Sequence, residues 1–143
     1  MASPSQEDYI EAIWVLIEAK GYARVSAIAD RLGISPASVS KMVRRLHAAG
    51  LVIYERYRGL DLTPAGRQAG QRLLARHRIL EAFLQQLGLS DRAEILRTVE
   101  GVEHHFGPEA LRRLDLLVRL GRQDPEWWQR YRHLADAAAP PPS

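Results

Sequence analysis

The sequence contains no cysteine. That absence excludes disulfides, thiolate metal ligands and cysteine nucleophiles, and it leaves His, Asp and Glu available for harder metals. No stretch approaches the roughly 20 consecutive apolar residues that span a bilayer. The N-terminal MASPSQEDY has neither a basic region nor an apolar run suited to secretion. A cytoplasmic protein without a membrane partner is expected. There is no HExxH motif and no internal repeat. What is present is 143 residues with 46% hydrophobic side chains, enough for one or two small packed domains.

A large charge excess is missing too, since the formal net charge is only +3. Its distribution is more informative. Between Arg24 and Arg67 there are eight basic residues (Arg24, Arg31, Lys41, Arg44, Arg45, Arg56, Arg58, Arg67) against three acids (Asp30, Glu55, Asp61), a net of +5. The rest of the chain is therefore about −2. One segment is suited to a polyanion, although an ordinary solvated surface would look the same on charge alone.

The periodicity is mostly helical. Ser5 can cap a helix from about Gln6 to Lys20, with Ile10, Ile13, Trp14 and Ile17 on one stripe and Gly21 as its stop. Two short helices follow. One runs from Ser26 to Leu32 and is stopped by Gly33; the other runs from Pro36 to Ala49, capped by Ser35 and stopped by Gly50. The intervening Gly33-Ile34-Ser35 turn makes the pair a helix-turn-helix signature. Leu51 to Tyr57 is rich in β-branched and aromatic residues, Arg58-Gly59 signals a turn, and Leu60-Asp61-Leu62 alternates, which together predict a hairpin wing. Thr63-Pro64 opens a long helix to about Leu87. Ser90 is expected to cap another, running to about Phe106. Gly107-Pro108 precedes a helix to about Leu120, and Asp124-Pro125 starts the last.

The fold class expected is therefore mainly α: a winged helix-turn-helix of three helices and a two-stranded wing over residues 1–70, an all-helical domain over 71–136, and a disordered tail over 137–143. On the second helix of the motif, Val39, Met42, Val43 and Leu46 share a core-facing side. Ala37, Ser38, Lys41, Arg44 and Arg45 lie opposite. Short polar and basic residues near the start of a recognition helix meet base edges, while neighbouring cations grip phosphates. Ser35, Ala37, Ser38 and Lys41 are the candidates at the reading end, with Arg44, Arg45, Tyr57 and Arg58 as phosphate contacts. A three-helix core with a hairpin can also serve protein contact alone, but the basic faces of helix and wing argue against that.

Three acidic or imidazole groupings lie outside the basic segment. Asp8 and Glu11 are neighbours on the first helix, although Ser5-x-x-Asp8 also fits a capping box. His77 falls in the apolar stripe of Leu73, Leu80 and Leu84, where a satisfied core histidine is the ordinary reading and a partly buried metal ligand the sharper one. In Glu100-Gly101-Val102-Glu103-His104-His105, Ile95, Val99, Val102 and Phe106 mark the core side. Glu100, Glu103 and His104 should project from its flank, and His105 elsewhere. Carboxylates crowded at the edge of an apolar face repel unless protonated or bridged by a cation.

The runs Tyr22-Ala23-Arg24-Val25-Ser26, Ser40-Lys41-Met42-Val43, Tyr57-Arg58-Gly59-Leu60 and Glu100-Gly101-Val102-Glu103-His104-His105 resemble the manganese transport regulator (MntR) branch of the diphtheria toxin repressor family, over about residues 4 to 120. The resemblance implies dimerisation through the C-terminal helices and a two-metal site formed by Asp8, Glu11, His77, Glu100, Glu103 and His104, to which the Glu100 carbonyl can add. Mn2+ is the implied effector, about two per subunit, with Fe2+ or another divalent ion as a weaker alternative. Iron-responsive relatives use methionine and cysteine at corresponding positions, whereas this chain has Asp8 and no cysteine, and oxygen-rich ligation suits Mn2+. The chain is too short for the SH3-like domain that those relatives carry. The departures begin after about residue 120, where Trp127, Trp128 and Tyr131 are expected to cover the dimer region.

The implied function is a repressor on palindromic operator DNA that controls metal homeostasis through manganese uptake genes, with double-stranded DNA and a second copy as partners and no organic cofactor. A regulator answering iron or an organic ligand is the alternative within that class. A carboxylate-bridged metalloenzyme is the alternative outside it. Di-iron bundles repeat a Glu-x-x-His pair on two helices; here Glu100 and His104 are four apart and no second pair exists. No catalytic residue is assigned.

Overall fold

The structure is a computed structural model that describes residues 4–55 and 57–142. Arg56, one of the basic residues counted above, lies outside the described residues, as do residues 1–3 and the last residue of the tail, Ser143. The chain forms two compact units, residues 1–74 and 75–143.

In the first unit α1 (Gln6–Lys20) starts at a complete capping box: the Asp8 N–H donates to Ser5 Oγ, and the Asp8 carboxylate accepts from the Ser5 backbone. It ends at Gly21, whose φ of 82° is the left-handed conformation that glycine tolerates best. α2 (Val25–Leu32) begins one residue earlier than expected, with no side-chain cap from Arg24. α3 (Pro36–Ala48) carries proline in its first turn, and Ser35 Oγ accepts the Ser38 N–H.

The wing pairs β1 (Val52–Glu55) with β2 (Gly59–Leu62), antiparallel, in the register Val52 to Leu62 and Glu55 to Gly59. Its turn therefore comes earlier than the expected Arg58-Gly59, and Tyr57 rather than a glycine takes a positive φ of 70°. The cause lies outside the hairpin. Leu60 is buried and exchanges both backbone hydrogen bonds with Ala23, at 2.7 and 2.9 Å. That bridge draws Gly59 into the strand at φ 123°, where a Cβ would stand only 2.7 Å from the Ala23 carbonyl oxygen.

α1, α2, α3 and the wing close over one apolar core in which Ile13, Ile28, Val39 and Leu46 are fully buried. Each such side chain contributes about 2 kcal/mol of transfer free energy.

α4 (Pro64–Gln86) gives its first turns to this unit and its later turns to the second. There α5 (Arg92–Val102) passes into a 3₁₀ turn, Glu103–His105, followed by α6 (Pro108–Gln123) and α7 (Pro125–Ala137). Two expectations need correction. The cap of α5 is Asp91, whose side chain accepts the Ala93 N–H at 3.0 Å, not Ser90. The regular helix stops at Val102, short of Phe106, because Gly107 and Phe106 are already extended ahead of Pro108 and the last turn tightens instead of continuing.

Leu80, Ile95 and Val99 form the core here, flanked by Leu84, Leu89, Phe106, Leu111 and Leu114. Val102, expected among them, is 37% exposed. Trp128 stacks on Trp127 (4.4 Å between centroids), meets Tyr131 edge-on, and packs so closely on Gly121 of α6 that a Cβ there would overlap its indole. Among the described residues no helix is long and apolar enough to cross a membrane.

Candidate metal centre and DNA-reading face

On α3 the buried Val39 and Leu46 fix which side faces outward. Ser35, Ala37, Ser38, Lys41, Arg44 and Arg45 are all exposed. Ser35 has a double engagement, since its hydroxyl caps the helix and also lies 2.9 Å from Ser38 Oγ. On the wing Tyr57 is 87% exposed, and Arg58 stands 3.5 Å from Glu55 with most of its side chain in solvent. A cavity of about 340 Å³ opens between the wing and the start of α2, lined by Arg24, Ser26, Tyr54, Tyr57 and Arg58 among others. Arg24 and Tyr54 were not assigned any role from the sequence. The usable signal was Arg24 at the start of α2, where uncapped backbone N–H groups and a cation share one end.

In the second unit His77, Glu103 and His104 come together. His77 lies on α4 next to the buried Leu80, with its side chain only 19% exposed. Its Nδ1 is 3.4 Å from Glu103 Oε2, a separation at which no hydrogen bond is aligned, so this buried nitrogen has no hydrogen-bond partner among the described residues. Glu103 is itself 4% exposed, and its other oxygen lies 3.7 Å from His104 Nε2. His104 Nδ1 is 3.4 Å from an Arg76 guanidinium nitrogen. His77 Nε2 points the other way, to Glu81 Oε2 at 3.7 Å.

Glu100 is exposed and forms no hydrogen bond or ion pair among the described residues; His105 is exposed as expected. In the first unit Asp8 Oδ2 accepts from the Ser5 N–H (2.6 Å) and hydroxyl (2.9 Å), and Glu11 is half-buried one turn further along α1.

A divalent cation suits the His77–Glu103–His104 group. A carboxylate removed from water costs several kcal/mol unless its charge is met. An imidazole supplies that charge only when protonated, and no Lys or Arg pairs with Glu103 among the described residues. The unpartnered His77 Nδ1 is a lone pair in search of either a proton donor or a metal. Imidazole nitrogen and carboxylate oxygen form a donor set for Mn2+, Fe2+ or Zn2+.

Comparison with known proteins identifies the family of each half of the chain. Residues 1–60 match the family described as iron dependent repressor, N-terminal DNA binding domain, and residues 63–127 match the iron dependent repressor metal binding and dimerisation domain. The HTH-type transcriptional regulator MntR of Geobacillus kaustophilus is 52% identical over 124 residues, covering 87% of each chain. That of Listeria welshimeri is 51% identical over 126 residues, 88% of each. Among solved structures, the manganese regulator SloR superposes with a TM-score of 0.71 at 30% identity over 82% of this chain. ScaR with bound Zn2+ superposes with 0.73 at 31% identity over 81%. The chain spans about half the length of those two, 55% and 54%. A helix-turn-helix with a basic outward face, a buried Glu103 flanked by two histidines and these relatives lead to one assignment: the chain belongs to the diphtheria toxin repressor family of metal-dependent transcriptional repressors, in its MntR branch, and is a regulator rather than an enzyme.

Proposed function

We propose that the protein is a cytoplasmic, Mn2+-activated repressor that binds palindromic operator DNA as a homodimer and controls manganese homeostasis, with uptake genes as its targets. The observation that carries the metal reading is the buried Glu103 carboxylate between two imidazoles, one of them with an unpartnered nitrogen. His77, Glu103 and His104 hold the cation. Asp8, Glu11 and Glu100 join the ligand set because they occupy the matching motif positions, which gives room for two ions per subunit. The metal supplies positive charge that no Lys or Arg among the described residues provides to Glu103.

Ala37, Ser38 and Lys41 read bases from the exposed start of α3, while Ser35 caps the helix beside them. Arg44, Arg45, Tyr57, Arg58 and Arg24 meet phosphates. Exposed Leu116, Leu120 and Leu134 on α6 and α7 favour a second copy as the dimer partner. Fe2+ is a weaker effector in this reading because the donor set has no sulfur.

Asp8 offers the sharpest test, since the capping box already accounts for its position. Both bonds from Ser5 fall on Oδ2, and a capping carboxylate keeps its negative charge, so capping does not exclude a ligand role. Asp8→Asn keeps a capping oxygen at a cost of about 1 kcal/mol or less, but withdraws a charge from the metal; Asp8→Met supplies a thioether. The measurement is the Mn2+ and Fe2+ concentration giving half-maximal operator binding under anaerobic conditions. We expect both variants to need more Mn2+ and Asp8→Met to shift toward Fe2+. An unchanged Mn2+ to Fe2+ ratio in both would reduce Asp8 to a cap, and operator binding indifferent to chelator would refute metal activation altogether.

A further inference from the structure

Glu81 belongs to none of the family motifs above, yet it is placed with some care. It lies one turn after His77 on α4, only 19% of its side chain is exposed, and its two oxygens face different groups. Oε1 accepts from Arg92 at 2.9 Å. Oε2 stands 3.7 Å from His77 Nε2, while the opposite ring nitrogen, Nδ1, faces Glu103. Arg92, at the first position of α5, and Glu81, on α4, thus bracket the ring from the side away from Glu103.

We propose that Glu81 is a positioning residue for the metal centre: it takes the Nε2–H of His77, holds Nδ1 deprotonated and aimed at the cation, and is itself braced by Arg92. This rests on the metal reading given above. An imidazole that ligates through one nitrogen must carry its proton on the other, and a carboxylate accepting that proton fixes both tautomer and ring orientation. At 3.7 Å the pair stands just outside hydrogen-bond distance, and a small ring rotation would close it. The Arg92 bond argues against Glu81 as a ligand. A guanidinium already occupies one oxygen, leaving the other for a single neutral N–H donor.

The test uses the full chain. In metal-free protein labelled with 15N-histidine, long-range 1H–15N correlation at a pH where the ring is neutral reports which nitrogen of His77 carries the proton, with His77→Gln identifying the signal. Wild type should show the Nε2–H form, and Glu81→Ala a mixture of both tautomers. Glu81→Gln, which keeps an acceptor oxygen, should restore the Nε2–H form. In parallel, electron paramagnetic resonance of free Mn2+ gives affinity and stoichiometry without DNA. Glu81→Ala should bind Mn2+ roughly tenfold or more weakly, with the same number of ions per chain and a thermal melt close to wild type. Glu81→Gln should stay within about threefold, the smaller loss expected when the hydrogen bond survives.

An unchanged tautomer in Glu81→Ala overturns the proposal. So does the loss of a whole Mn2+ equivalent, which would make Glu81 a ligand. Wild type that binds no Mn2+ would sink the metal reading instead, and the tautomer measurement would still decide what Glu81 does to His77.

Discussion

Operator affinity should fall with salt at a rate set by the number of cations on each reading head. Four exposed cations on each reading head are assigned to phosphates, Arg24, Arg44, Arg45 and Arg58. A dimer therefore engages about eight phosphates, and each releases close to one counterion, so the slope of log affinity against log salt should be about −7. Between 50 and 200 mM salt that amounts to a loss of about 10⁴-fold. Arg58 must leave Glu55 at 3.5 Å to contribute, but the pair is largely exposed and such pairs are worth less than about 1 kcal/mol.

Arg44→Ala removes one phosphate contact from both heads and should flatten the slope by about 2. Arg130→Ala, on an exposed position of α7, should leave it unchanged. Fluorescence anisotropy with a labelled operator at saturating Mn2+ measures both. A wild-type slope shallower than about −3 would mean that α3 and the wing do not carry the phosphate contacts. An effect of Arg130→Ala equal to that of Arg44→Ala would place DNA on another face.

Substituting Ala37 or Ser38 should change which operator bases matter, whereas Arg44→Ala should weaken all sequences alike; a binding scan over operator variants separates the two, and identical base preferences for all would reverse the assignment. Gly66→Ala should destabilise the first unit by about 3 kcal/mol, because the added Cβ would collide with the Leu51 carbonyl oxygen, a backbone atom with little freedom to move. Thermal or urea unfolding reads that loss, and a melt equal to wild type would contradict the packing described. Val99→Ala, at a fully buried position, should cost about 2 kcal/mol, while Val102→Ala should cost under about 1 kcal/mol, since Val102 remains partly in solvent; equal losses would restore Val102 to the core.

Most of the fold was legible because its boundaries are written in local chemistry. Ser5 and Asp8 set the start of α1, Gly21 and Gly33 the ends of α1 and α2, Ser35 and Pro36 the start of α3, and Asp124-Pro125 that of α7. These signals act over three or four residues, the range that sequence patterns report. The wing turn was misplaced because the Ala23–Leu60 bridge that fixes it joins residues 37 positions apart. The candidate site divides along the same line. Exposed cations on α3 follow from helical period alone, but Arg24 and Tyr54 became visible only once the wing stood beside the start of α2. Glu81 carried no sequence signal that set it apart from any other carboxylate on a helix.

The instructive failure is at Val102 and Glu103. Regular helical spacing from Ile95 and Val99 puts Val102 nearest the centre of the apolar stripe and Glu103 on its flank. The structure reverses this, leaving Val102 at 37% exposure and Glu103 at 4%. Folding alone opposes such an exchange. It forgoes part of the 1.5 kcal/mol or more that a buried valine contributes, and it desolvates a carboxylate as well. The backbone allows it because Val102, at φ −118°, already departs from helical geometry and the following turn is 3₁₀, so the 100° period no longer governs what faces inward. Departures from the apolar pattern that cost stability concentrate where a site requires them. Here the residue turned inward meets His77 and His104, and the same exchange that breaks the periodic rule is what places a carboxylate between two imidazoles. A cation bound there would offset the cost of the burial, so the stability of this turn would depend on metal in a way that an ordinary hydrophobic helix end would not.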